Sequence, residues 1–254
     1  MSRNQNYHDF LQKASKYDLL ANYYKYTNPA SHIAYYQKHL QYINMAVQMM
    51  RTHTMPNQQD QISSGRVRFI HASTDAPNVD IYIDGTRILK DFSYKETSNY
   101  LSLPPGKHQV DIYPTGNMVS TVLSRKVIIE QGKHYTLIPT GHVKNLKWLA
   151  LEDDPRVPSG ESKIRFINLS PDAPALDIAV KGRDVIFSNL SFRKHTSYLG
   201  LSPMTVDLEA RIAGSSNIAL PLPQIQLKPN KAYTILIVGS ITSEQGLEVV
   251  FIKN

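Results

Sequence analysis

The sequence predicts a mainly β fold, two tandem antiparallel β-sandwiches preceded by an N-terminal α-helical hairpin, and three observations predict it. A seventeen-residue stretch recurs: VRFIHASTDAPNVDIYI (Val67 to Ile83) and IRFINLSPDAPALDIAV (Ile164 to Val180) are identical at nine positions without a gap, which marks a duplicated structural unit. Within each copy, apolar and polar residues alternate, the period of a half-buried strand. Residues 6–53 instead place their apolar positions at steps of three and four, the period of a helix.

The first helical stripe is Phe10, Ala14, Tyr17, Leu20 and Tyr24, and Asn28-Pro29-Ala30-Ser31 breaks it from a second, Ile33, Tyr36, Leu40, Ile43, Val47 and Met50. The second stripe corresponds to a helix of about five turns. Eight of the fifteen tyrosines lie in this quarter of the chain, and tyrosine, with a large apolar body and a polar tip, suits a surface that docks against a partner. Tyr17, Tyr24, Tyr36, Leu40, Ile43 and Val47 are therefore candidate interaction residues. Packing onto the first sandwich and association with another chain fit the spacing equally well.

Thr54 to Gly65, with Pro56 followed by Asn57, Gln58, Gln59 and Asp60, reads as a flexible linker. In the first copy Val79, Ile81 and Ile83 point to one face and Asp80, Tyr82 and Asp84 to the other. Strand-like runs follow at Ile88 to Phe92, Ser98 to Leu103, His108 to Tyr113, Val122 to Ile129, His134 to Pro139 and Leu146 to Leu151. Turn residues separate them, as in Asp84-Gly85 and Pro104-Pro105-Gly106. Short, evenly spaced strands without helical pattern argue for a sandwich. Glu152 to Gly160, with Pro155 and Pro158, reads as a short stiff linker. The second copy repeats the pattern, with Leu176, Ile178 and Val180 inward and a last strand at Leu247 to Ile252. The expected division is 1–63 helical segment and linker, 64–154 first sandwich, 155–254 second sandwich.

The repeated block resembles a bacterial family, the domain of unknown function 4397. Its hallmark is an opening strand, a His-Ala-Ser-Pro-Asp-Ala-Pro-like turn and a Val-Asp-Val-Tyr-like strand. Here these are Arg68 to Pro77 with Val79-Asp80-Ile81-Tyr82, and Arg165 to Pro174 with Leu176-Asp177-Ile178-Ala179. Tyr100, Pro105-Gly106, Tyr135-Thr136 and Gly141 match later features, while Thr74 in place of Pro, Asn168 in place of His71 and Met204 in place of a turn glycine depart from the pattern. The resemblance implies immunoglobulin-like or transthyretin-like sandwiches, common in tandem on exported or surface proteins of Bacillus-like bacteria, without established catalysis. It spans residues 64 to 254.

Several chemistries find no support in the residues. The chain has no cysteine, which removes disulfides, thiolate metal sites and cysteine nucleophiles. Net charge is +7, but residues 1–63, 64–158 and 159–254 carry 6, 12 and 10 basic against 3, 10 and 8 acidic residues. The excess is spread thin, whereas nucleic-acid binders concentrate it, so no nucleic-acid partner is expected. No run is long and apolar enough to span a membrane, and the first thirty residues lack the apolar core of a secretory signal. No classical export is therefore expected.

Asp75 and Asp172, each followed five residues later by Asp80 and Asp177, invite a calcium reading, but two carboxylates per copy are too few. With Pro77 and Pro174 they read as structural turn residues, the Asp-Ala-Pro carboxylates accepting from their own turn's amides. Asp80 and Asp177 are expected to face water or to pair with Arg68 and Arg165. His32 with His39, and His134 with His142 across a turn, are the only histidine spacings suggestive of a metal, and neither forms a ligand set. No cofactor, metal or catalytic residue is assigned, and the aliphatic side chains buried between the sheets of the duplicated unit are expected to leave no room for a reaction centre. The expectation is thus a non-enzymatic structural or interaction protein of a bacterial surface or spore-associated assembly, where tyrosine-rich proteins without signal peptides are laid down. Its partners would be other proteins or its own copies. The alternative is a glycan- or peptide-binding module that uses the sandwich loops.

Overall fold

A computed structural model describes residues 3–53, 64–117 and 121–254. The expected linker from Thr54 lies outside the described residues as far as Ser63, as does the side chain of Met50. The chain forms two compact units, residues 1–61 and 62–254.

In the first unit, α1 (Arg3–Tyr24) and α2 (Pro29–His53) form an antiparallel hairpin. Asn28 stops one helix and starts the next: its Oδ1 accepts from the Ser31 amide at 3.1 Å, and Pro29 takes the first helical position, where a missing N–H costs nothing. The seam is built from Phe10, Ala14, Tyr17, Ala21 and Tyr24 against His32, Tyr35, His39, Tyr42 and Ala46. Ala14, Ala21 and Ala46 are buried, and the Tyr17 ring stacks on Tyr42 at 5.5 Å and on Tyr35 at 6.2 Å. His32 and His39 turn inward to the carbonyls of Ala21 and Ala14. On α2 this seam lies one residue away from the expected stripe, because two of its positions are His32 and His39, which an apolar pattern does not register.

The second unit contains two sandwiches. The first pairs the sheet β3-β2-β5-β6 with β4-β1-β7-β8, using β1 (Gly65–Phe69), β2 (Val79–Ile83), β3 (Thr86–Phe92), β4 (Leu101–Leu103), β5 (Gly106–Pro114), β6 (Leu123–Ile129), β7 (His134–Thr140) and β8 (Lys147–Asp153). The second repeats it with β9 (Ser162–Asn168), β10 (Leu176–Val180), β11 (Val185–Leu190), β12 (Leu199–Leu201), β13 (Met204–Ile212), β14 (Ile218–Leu227), β15 (Lys231–Gly239) and β16 (Leu247–Lys253), in sheets β11-β10-β13-β14 and β12-β9-β15-β16. Pairing is antiparallel except for β1 with β7 and β9 with β15. Glu152 and Asp153, expected in the linker, extend β8.

Each sandwich has its own core, around Phe69, Ile81, Ile112 and Leu137 in the first and Phe166, Ile178, Ala210 and Ile235 in the second. A third core joins them. Ile70, Ala72, Ile138 and Leu151 from the β1 sheet pack with Ile167, Leu169, Leu236, Val238 and Ile252 from the β9 sheet. The inner sheets are therefore covered on both faces, and all seven residues of β9 are buried. Sequence alternation had suggested half-buried strands; the neighbouring copy supplies the second cover. Each fully buried Ile or Leu here contributes about 1.5–3 kcal/mol, so the copies stabilise each other.

A polar lattice closes one end of this interface. Arg68 donates through Nε to Thr136 Oγ1 at 2.8 Å and through Nη2 to Asn254. Arg165 donates through Nε to Thr234 Oγ1 at 3.0 Å and through Nη2 to Asp153. Both guanidinium groups lie 4.7 Å over a tyrosine ring, Tyr100 and Tyr198 respectively. Tyr100 Oη donates to Asp153 at 2.7 Å, and Asn254 Nδ2 donates to Tyr198 Oη at 2.8 Å. The sandwiches thus exchange partners across a pseudo-twofold axis.

Candidate functional site

Two regions present chemistry to the outside: the loop ends of the stacked sandwiches and the outer face of the hairpin.

At the loop ends, His71 accepts the Ser73 amide on Nδ1 at 3.4 Å and reaches Pro77 O through Nε2 at 3.2 Å. Asn168 does the same work in the second copy, accepting the Ser170 amide at 3.0 Å and donating to Leu190 O. A neutral imidazole and an amide each offer one acceptor and one donor, which explains why the turn tolerates the exchange. Burial pushes the His71 pKa down, in keeping with a neutral ring.

The Asp-Ala-Pro carboxylates bind their own turn through the serine two residues before, Ser73 or Ser170, but their amide partners come from a remote loop. Asp75 accepts from the Val143 amide at 2.9 Å. Asp172 accepts from the Ile241 and Thr242 amides and from the Ser240 and Thr242 hydroxyls. Burial alone would raise both carboxyls, yet these hydrogen bonds hold them below the usual range. Each aspartate therefore fastens its turn to the loop that follows the parallel partner strand. Pro77 and Pro174 are exposed beside them.

Asp80 and Asp177 neither face water nor pair with Arg68 and Arg165. They stand on the outer sheets while the arginines stand on the inner ones, facing the other copy. Both are buried, and each accepts the amide of a left-handed residue on the adjacent strand, Asp91 (φ 54°) at 2.9 Å and Asn189 (φ 58°) at 2.7 Å. Asp80 also meets Arg87 at 3.2 Å. Of the histidines, His134 and His142 lie at opposite ends of β7, so they do not approach across a turn. Among the described residues no group of three metal-ligating side chains assembles.

Between the copies, contrary to expectation, a cleft of about 580 Å³ opens at the loop ends. Strand periodicity reports which face is covered and says nothing of how two sets of loops meet. Lys95 of the first sandwich pairs with Glu248 of the second at 2.7 Å, and His142 stands 3.4 Å from Asp75. Tyr94 lines the cleft with its hydroxyl buried and without a well-formed hydrogen bond, the Gly239 amide being the donor that faces it. Burial, then the charge of Glu248, pushes its pKa up to about 12, so it acts only as a neutral donor and acceptor. No sequence motif marks this site. Trp148, in β8, is buried in the first core against Phe69.

On the hairpin, Tyr17 and Tyr24 are engaged in the seam's ring stacks, with Tyr24 5.6 Å from Tyr35. Ile43 and Val47 are half-buried. Ile33, Tyr36 and Leu40 face outward, 56, 47 and 43 % exposed. The hairpin thereby leaves uncovered an apolar run spaced three and four residues apart. No helix among the described residues is long and apolar enough to cross a membrane.

The family profile described as "Domain of unknown function (DUF4397)" matches residues 65–179 and again 170–254. No curated protein matches the chain. Among solved structures, the C-terminal domain of AlgF from P. aeruginosa aligns at 20 % identity over 37 % of this chain and 99 % of its own, with a TM-score of 0.30. The family CBM26 module CBMbc of Amy13K from Eubacterium rectale, solved with maltoheptaose, aligns at 9 % identity over 74 % of this chain and 97 % of its own, with a TM-score of 0.24. The Bacillus anthracis TIE protein aligns at 12 % identity over 76 % of this chain and 41 % of its own, with a TM-score of 0.24.

Proposed function

The chain belongs to the DUF4397 family, carrying its domain twice, and from that premise we propose that it is a non-enzymatic structural protein that assembles through its helical hairpin. The observation that carries this reading is the outward run Ile33, Tyr36 and Leu40, continued by the half-buried Ile43 and Val47. A helix that has already satisfied one face against its partner and keeps a second apolar stripe in water has the form of a docking helix. Two such stripes brought together would bury each other in a four-helix arrangement. The non-enzymatic character is supported by how the ionisable groups are spent: Asp75, Asp80, Asp172 and Asp177 hold loops and bulges, and Asp153 holds two arginines. The setting we propose is a bacterial cell-surface or spore-associated layer, which the concentration of tyrosine in the hairpin supports.

Size-exclusion chromatography with light scattering on the full chain tests the assembly. The wild type is expected at a multiple of 28.7 kDa and Leu40→Asp at the single-chain mass with unchanged helical circular dichroism. Leu40 is exposed, so the charge does not threaten the hairpin itself. A wild type that stays monomeric at every concentration overturns the proposal.

A further inference from the structure

We infer that the cleft between the two sandwiches binds a neutral, polyhydroxylated ligand of the saccharide class. Its volume of about 580 Å³ falls in the range of about 300–1,000 Å³ typical of small-ligand sites. Its ionisable side chains are already coupled, Lys95 to Glu248 and His142 to Asp75. An ionic ligand would have to break one of them. A polyol would not, because a carboxylate offers about four lone-pair sites and can take ligand hydroxyls while keeping its cation. Ser243, Gln245 and Thr74 add neutral polar groups to the lining.

The hydroxyl of Tyr94 is the most specific pointer. A buried O–H without an acceptor costs about 1–3 kcal/mol, and buried polar groups in folded proteins nearly always find a partner. The fold does not need this hydroxyl. At the pseudo-twofold position the second sandwich carries Phe192, whose Cζ comes within 3.6 Å of where a Cβ on Gly141 would stand. Phenylalanine therefore packs there without difficulty. Tyrosine appears only on the side where Lys95 meets Glu248 and the cleft is open; its hydroxyl lies just beneath that wall, and it gains an acceptor oxygen when a bound ligand draws the side chain outward.

The test is saturation-transfer NMR on the full chain with maltose, cellobiose and N,N′-diacetylchitobiose as probes. At least one is expected to receive saturation. Tyr94→Phe, which copies the fold's own solution at Phe192, is expected to weaken that binding about tenfold, the equivalent of one hydrogen bond, with no loss of thermal stability. Glu248→Gln is expected to weaken it as well. If none of the three sugars receives saturation, or if Tyr94→Phe binds the responding sugar as tightly as the wild type, the inference fails, and ordered water is then the partner of the hydroxyl.

Discussion

The two sandwiches share one backbone plan, and they part where a side chain leaves its own core and meets the other copy or the outside. Asp153 in the first becomes Asn254 in the second, Tyr94 becomes Phe192, and Lys95 becomes Arg193. Lys95 finds Glu248, but the position equivalent to Glu248 in the first sandwich is Lys147, and Arg193 donates instead to Trp148 O at 2.7 Å. Duplication has kept the alternating aliphatic positions and varied the ends. The core pattern thus specifies the fold, and the departures from symmetry specify what each end can hold.

The largest departure is electrostatic. Among the described residues Asp153 is the one acidic side chain reaching both buried arginines, at 3.6 Å from Arg68 and in direct contact with Arg165, whereas its twin Asn254 carries a neutral amide to Arg68. Removing a carboxylate from a buried pair leaves its cations without compensation, at a cost of about 3–5 kcal/mol. Asp153→Ala is expected to lose that much in urea denaturation and Asn254→Ala only about 1 kcal/mol. Equal losses would show that the lattice is symmetric in energy despite its sequence.

A smaller contrast separates the two turn aspartates. Asp172 accepts two remote amides and two remote hydroxyls, while Asp75 accepts one remote amide. Both carboxyls are held below their ordinary range, so each contributes stability above about pH 3.9 that disappears as pH falls through the lowered folded-state value. Both are partly exposed, which discounts the gain: Asp172→Asn is expected to cost about 2 kcal/mol near neutral pH and Asp75→Asn about 1 kcal/mol. Acid unfolding followed by tryptophan fluorescence should show the steeper acid limb flattened more by Asp172→Asn.

These contrasts show what was legible in sequence. The repeat and its alternation located the strands, since burial of Val79, Ile81 and Ile83 or of Leu176 and Ile178 follows from their period alone. The stacking of the copies was hidden because the residues that make it, Ile70, Ile138, Ile167 and Leu236, continue the same strands on their other face, where Arg68 and Arg165 also sit. A polar residue amid that face reads as exposure when it is in fact a buried pair. On α2, His32 and His39 masked the seam for the same reason. The cleft depends on loops from both copies, and no spacing within one copy could announce it.

The smallest expected effect concerns how each sandwich closes its edge. His108 faces the first core and bridges Asp84 Oδ2 at 2.7 Å and Pro104 O at 2.8 Å, tying the β2–β3 turn to the β4–β5 turn. In the second sandwich Val206 stands there and helps line an apolar pocket of about 90 Å³ with Phe187, Leu199 and Met204. Partial burial works against charging His108, but the bonds to Asp84 and Pro104 raise its pKa above the ordinary value. A raised folded-state pKa means stabilisation that is complete below about pH 6.5 and is lost as pH rises through the raised value. His71 titrates in the same region with the opposite sign, since burial lowers its pKa, and the wild-type profile alone mixes the two. Comparing wild type with His108→Val, both retaining His71, cancels that contribution. The stability difference between them is expected to shift by less than about 1 kcal/mol, with wild type losing ground as pH rises from 6 to 8 (roughly the window of an ordinary or modestly raised histidine). A difference that stays flat over that window would mean that the His108–Asp84 bridge seals the edge by shape alone, as Val206 does without any charge.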